Sequence, residues 1–253
     1  MLPESLIPEA LSVFSFWMLV GVSFFGSFLS TAAGIGGGVT LLAVMAQVMP
    51  PLALIPCHGV VQAGSNMSRM ALFFKHIDWK FMRWFVLGSL IGVAVASQLV
   101  IALPVALLQI MLGIFILYSV WGPKPGSVAV SSKGIVVGGA LTTFGSMFVG
   151  ATGPFVMAFV APFKYDRLTK VGTFSSVMVT QHTLKIIMFS FLGFAFVAYV
   201  PLLALMVGAG FLGTLVGKRV LMKQSEAHFS YILNIILTLL ALRLLWQAFE
   251  SYL

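Results

Sequence analysis

From Leu11 to Leu245 the chain is a succession of apolar runs, broken only by short glycine, proline or basic punctuation. A helix needs about 20 apolar residues to cross a bilayer. Long runs come at Leu11–Ala33, Leu54–Phe74, Trp84–Leu103, Val105–Trp121, Lys170–Val197, Leu202–Val216 and Phe229–Leu245, and shorter ones at Val39–Met49, Gly134–Val149 and Ala151–Phe163. Of the residues, 60% are hydrophobic and 8% charged. A soluble domain carries about 25% charged residues, so this chain is too poor in charge to coat a soluble core. The expected class is an all-α polytopic membrane protein of about 8–10 segments, forming one domain over 1–253.

Two of the junctions are glycine breaks: Gly34-Ile35-Gly36-Gly37-Gly38 and Gly150-Ala151-Thr152-Gly153-Pro154. Each joins a close pair of segments, either two crossings or a re-entrant hairpin. The net charge of +8 sits in clusters: Lys75, Lys80 and Arg83; Lys124 and Lys133; Lys164, Arg167 and Lys170; Lys218, Arg219 and Lys223. All four fall on one side if each segment changes side. The opposite loops, Pro50–Ala53, Ala102–Pro104 and Ala198–Pro201, have no Lys or Arg. The positive-inside rule makes the basic side cytoplasmic, with both termini outside. This topology accounts for the charge without nucleic acid. Met1 to Ala10 has no Lys or Arg and does not read as a signal peptide.

The chain also repeats itself. A shift of 116 residues brings Gly34 onto Gly150, Gly37 onto Gly153, Leu52 onto Leu168, Asn66 onto His182 and Arg69 onto Lys185. Repeat one spans 11–121 and repeat two 133–247. Each is a broken helix pair plus three transmembrane helices. Five segments is an odd number, so the repeats should be inverted. Inverted repeats with interrupted segments are a feature of secondary transporters, and the breaks point to the binding site.

Candidate anion ligands follow. Helix N-termini leave backbone N–H groups that an anion can satisfy, with Val39 and Ala151 as expected starts. The glycines involved are Gly34, Gly36, Gly37, Gly38, Gly150 and Gly153, with Thr152; the alternative is that they only permit close packing. Lys185 stands 15 residues past Lys170, roughly 22 Å along a helix, too deep for a cytoplasmic end. Arg69, six residues before Lys75, could reach the surface instead. Beside Arg69, His58, Gln62, Ser65 and Asn66 form one stripe; Ser175 and His182 join Lys185, with Gln181 adjacent. The expected substrate ligands are these glycines and Thr152 with Gln62, Asn66, Arg69, Gln181, His182 and Lys185. Interhelical hydrogen bonding is the alternative for the amides and hydroxyls. Asp78 and Asp166 lie in loops, so a cationic lining without carboxylates selects an anion. His58 and His182 are the intramembrane candidates for carrying protons. Gly88–Gly92 and Gly213–Gly217 are GxxxG patterns that mark close helix contacts.

Other classes are an anion channel using the same groups, or a scaffold with no substrate. An enzyme is not expected: there is no His-Glu-x-x-His, no Gly-x-Ser-x-Gly and no intramembrane carboxylate pair. No catalytic residue, metal or cofactor is expected. Cys57 is the single cysteine, so no internal disulfide can form. There is no ATP-binding motif, so energy comes from a gradient or a separate protein.

The run Gly34-Ile-Gly-Gly-Gly38, the short apolar stretch after it, Pro50-Pro51 and the polar helix that follows resemble the TauE/SafE sulfite-exporter family. So does the echo from Gly150. The resemblance covers Leu11 to Leu245. It implies a multi-pass transporter of the bacterial inner membrane, carrying a small inorganic or organic sulfur anion such as sulfite or an organosulfonate. The implied partners are that anion and the lipid bilayer, with no nucleic acid; a homodimer is left open. In the second motif Thr152 and Pro154 replace Gly36 and Gly38, a departure from strict symmetry.

Overall fold

The computed structural model describes residues 6–32, 36–100, 104–122, 131–220 and 227–250. Gly34, Lys124 and Lys223 lie outside them. Among the described residues the fold is all helical: α1 (Val13–Ala32), α2 (Gly37–Val48), α3 (Pro51–Leu72), α4 (Trp79–Val100), α5 (Val105–Trp121), α6 (Ser132–Val149), α7 (Gly153–Val160), α8 (Arg167–Phe191), α9 (Val200–Val220) and α10 (Ala227–Glu250).

Capping moves several boundaries away from the apolar runs. The fourth run starts at Trp84, but α4 starts at Trp79 because the Asp78 carboxylate accepts the Phe81 N–H at 2.9 Å. Asp166 caps α8 in the same way, accepting the Thr169 N–H at 2.8 Å, so α8 starts before Lys170. It stops at Phe191, ahead of Gly193 at φ 85°, rather than running on to Val197. Helices α2 and α7 start at Gly37 and Gly153, not Val39 and Ala151.

The described surface is rich in large apolar side chains, and polar side chains are buried within an otherwise apolar core. Phe14, Phe25, Leu141, Phe191 and Leu239 are exposed, while Ser27, Thr31, Gln62, Asn66, Gln181 and Lys185 are buried. That is the distribution a bilayer requires. Among the described residues, four helical spans are long and apolar enough to cross: Val13–Ala32, Trp79–Leu99, Ser132–Val149 and Phe196–Arg219. Helices α3 and α8 are long enough but less apolar, because they carry the polar stripes. They occupy the centre, packed antiparallel: Gly59 faces the Lys185 side chain, and Gly172 faces the Phe73 carbonyl.

The four apolar spans flank this centre in two matching pairs, α4 on α6 and α1 on α9. Both GxxxG patterns sit at these contacts. A methyl added to Gly88 or Gly92 would lie 2.0 or 2.1 Å from the carbonyl oxygens of Val136 and Ala140. At Gly213 and Gly217 it would lie 2.1 and 2.7 Å from those of Phe24 and Phe28. Backbone therefore rests on backbone, the arrangement that small residues permit in membranes. Helices α3 on α9 and α8 on α4 form another matching pair, and α5 lies against α10. Advancing each helix number by five interchanges the members of each matched pair.

The described members of the basic clusters gather at one end of the bundle. The Tyr165 hydroxyl donates to the Asp78 carboxylate, joining the loop before α4 to the loop before α8. Lys218, in the last turn of α9, lies 5.7 Å from the Phe73 ring centre. At the opposite end, Pro51, Leu52, Val105, Leu192 and Phe194 meet around an apolar hollow of about 300 Å³.

Candidate functional site

A small cavity of about 30 Å³ lies where both glycine breaks meet the central helices. Gly36, Gly38 and Val39 line it from the start of α2, and Ala151, Gly153 and Pro154 from the start of α7. Helix α3 supplies His58, Gln62, Asn66 and Arg69; α8 supplies Phe174, Met178 and His182; α1 supplies Ser30. Larger hollows exist, but the one at the non-basic end is walled by apolar side chains and offers a charged ligand nothing.

The α2 start depends on Gly36, which adopts φ 103°, a conformation open to glycine and strained for residues with a side chain. Helix α2 has 12 residues and α7 has eight. At about 1.5 Å per residue neither reaches across the roughly 30 Å hydrocarbon core. Both N-termini are therefore inside the bundle, with the positive ends of their dipoles toward the cavity.

Arg69 turns inward and is 3% exposed, so it does not use its length to reach the surface. Its guanidinium donates to Ser65 Oγ at 3.0 Å, Thr31 Oγ1 at 3.4 Å and Asn66 Oδ1 at 2.8 Å. Asn66 in turn donates to the Gln62 carbonyl oxygen at 2.8 Å and to Gln62 Oε1 at 3.3 Å. Every one of these acceptors is neutral. The positive charge is oriented by its neighbours without being cancelled.

Lys185 is fully buried and occupies a different niche. Its Nζ donates to the Gly150 carbonyl oxygen at 2.9 Å, at the C-terminal end of α6. Arg69 likewise reaches Thr31 in the last turn of α1. Each cation thus meets the negative end of the helix entering a break, while the positive ends of the helices leaving the breaks face the cavity.

Of the residues expected from the sequence, Gly36, Gly38, Gln62, Asn66, Arg69, Gly153 and His182 line the cavity. Gly37, Gly150, Thr152, Gln181 and Lys185 stand behind it. Gly37 packs against α1, where an added methyl would lie 1.7 Å from the Gly26 carbonyl oxygen. Gln181 donates to Thr142 and Thr143 and accepts from Thr152 at 2.9 Å, a bridge between α8, α6 and the second break. Ser30, Phe174 and Met178 were not anticipated. Ser30 lies outside the glycine motif, and the other two are apolar positions that correspond to His58 and Gln62 under the 116-residue shift.

Among the described residues no group of His, Cys, Asp and Glu could hold a metal ion. No curated protein and no solved structure matches the chain. The model of one family, described as sulfite exporter TauE/SafE, matches residues 19–244 of the 253, and this multi-pass membrane protein belongs to that family.

Proposed function

We propose that the protein is a secondary transporter of a small anion, a sulfur oxyanion such as sulfite or an organosulfonate, working by alternating access rather than by catalysis. Family membership supports a sulfur-anion substrate. The observation that carries the reading is the buried Arg69 in a cavity that collects two helix N-termini and no carboxylate. An anion there would pair with the guanidinium, satisfy N–H groups at the starts of α2 and α7, and accept from the Gln62 amide, with Asn66 holding Gln62 and Arg69 in place. Lys185 would act from behind, holding the Gly150 carbonyl and adding positive field.

At about 30 Å³ the cavity is of water size in this conformation, so taking up an anion requires it to widen; pockets for larger organic ligands run to about 300–1,000 Å³. In this reading the halves 11–121 and 133–247 are inverted repeats. The antiparallel course of α3 and α8 and the interchange of matched contacts support it. The basic end faces the cytoplasm of a bacterial cell by the positive-inside rule.

The test is thermal stability of the purified protein against sulfite, sulfate, thiosulfate, sulfoacetate, taurine, a carboxylate and chloride at matched ionic strength. A ligand of the folded state raises the melting temperature by mass action. A selective rise with a sulfur anion, absent from Arg69→Gln, is expected. An unchanged rise in that variant would remove the site assignment.

A further inference from the structure

The polar groups that the anion reading leaves unused are imidazole nitrogens. His58 and His182 are both fully buried on the cavity wall, their rings 5.9 Å apart and edge to face at 75°. His58 Nε2 is 3.0 Å from the Gly38 carbonyl oxygen. A carbonyl only accepts, so that nitrogen carries the hydrogen and Nδ1 is left with a lone pair. His58 Nδ1 has no hydrogen-bond partner among the described residues, and neither does either nitrogen of His182. Buried polar atoms are nearly always paired, and an unpaired cluster calls for an occupant.

We propose that His58 and His182 form a proton-binding pair whose occupancy is coupled to that of the anion cavity, so that anion and proton bind together. The inference rests on the anion-transport reading and names its coupling ion. Imidazole is the side chain whose charge changes within the physiological range. The other charged groups facing the pair are Arg69 on α3 and Lys185 on α8; α1, α2 and α7 contain no titratable side chain, α6 contains only Lys133, in its first turn, α4 and α9 carry Lys80, Arg83, Lys218 and Arg219 at their basic ends, α5 carries Tyr118, and Cys57 precedes His58 on α3. With no carboxylate on the wall, these imidazoles carry the uncharged basic nitrogens that line the cavity itself, Lys185 standing behind it. A cation on the pair and an anion beside it attract each other, so each raises the affinity for the other by the same factor. The His58 bond to Gly38 ties the pair to the first turn of α2, one of the two helix ends that face the anion.

The test is sulfite affinity by calorimetry from about pH 5 to pH 8, the imidazole range, for the wild type, His182→Gln, His58→Gln and Arg69→Gln. Sulfite titrates too, but identically for every protein, so differences between slopes report the histidines. The wild type is expected to exceed the histidine variants by one proton per anion, roughly tenfold in Kd per pH unit. Equal slopes in the wild type and both histidine variants would overturn the coupling and leave the anion site standing. Loss of binding at every pH in both would also overturn it, making the imidazoles plain ligands. A wild type that binds no sulfite, or Arg69→Gln binding like the wild type, would overturn the anion reading and this inference with it.

Discussion

At the scale of single residues, charge and backbone geometry make separable demands. Arg69 has neutral acceptors on every described hydrogen bond, so its charge is available to a ligand. Replacing it with Gln should weaken sulfite binding by roughly tenfold to a hundredfold, the worth of a charge-assisted hydrogen bond, measured by calorimetry. Lys185→Gln should weaken binding less, because Lys185 touches the Gly150 carbonyl and not the cavity lining. Gly37 makes a different demand. A methyl there meets the Gly26 backbone, so Gly37→Ala should cost about 1–3 kcal/mol, as overpacking does, read as a lower melting temperature. Both roles sit in one glycine motif. Sequence shows the motif; only the fold shows that Gly36 and Gly38 face the cavity while Gly37 faces α1.

At the scale of elements, caps and small-residue seams place the helices. Hydrogen bonds from the Thr169 N–H and hydroxyl hold the Asp166 carboxyl below the ordinary aspartate range. Its folded pKa is depressed, so the stabilisation is full above the unfolded value and fades as pH falls through the folded one. The gap in melting temperature between the wild type and Asp166→Ala should therefore close on acidification. Tyr165 shows the opposite shift: burial, then its bond to Asp78, pushes the phenol above its usual range and keeps it a donor at neutral pH. At the seams, Gly88→Leu should part α4 from α6, and Gly213→Leu should part α1 from α9. Each should lower the melting temperature, and the two losses should be similar because the contacts match. Helix existence was legible from the apolar runs. Boundaries were not, since Asp78 and Asp166 act through capping geometry that an apolarity pattern does not register.

For the whole molecule, the proposed orientation puts the basic end in the cytoplasm. Cys57 is the single cysteine and is buried, so Cys57→Ser provides a silent background for labelling. Single cysteines at Lys75 and Lys164 should react with an impermeant thiol reagent in inside-out vesicles and not in intact spheroplasts. Reaction from the outside would reverse the proposed orientation.

The sequence by itself determined the membrane class, the segment pattern, the two breaks and the shortage of buried carboxylates. These follow from composition and spacing, which need no partner. Only the tertiary structure decided which polar groups share a cavity. Arg69 and Lys185 correspond under the repeat, yet one lines the cavity and the other caps α6 from behind it. That difference arises where α3 meets α1 and α8 meets the end of α6. A repeat offset carries no information about the contacts each half makes around its own cation.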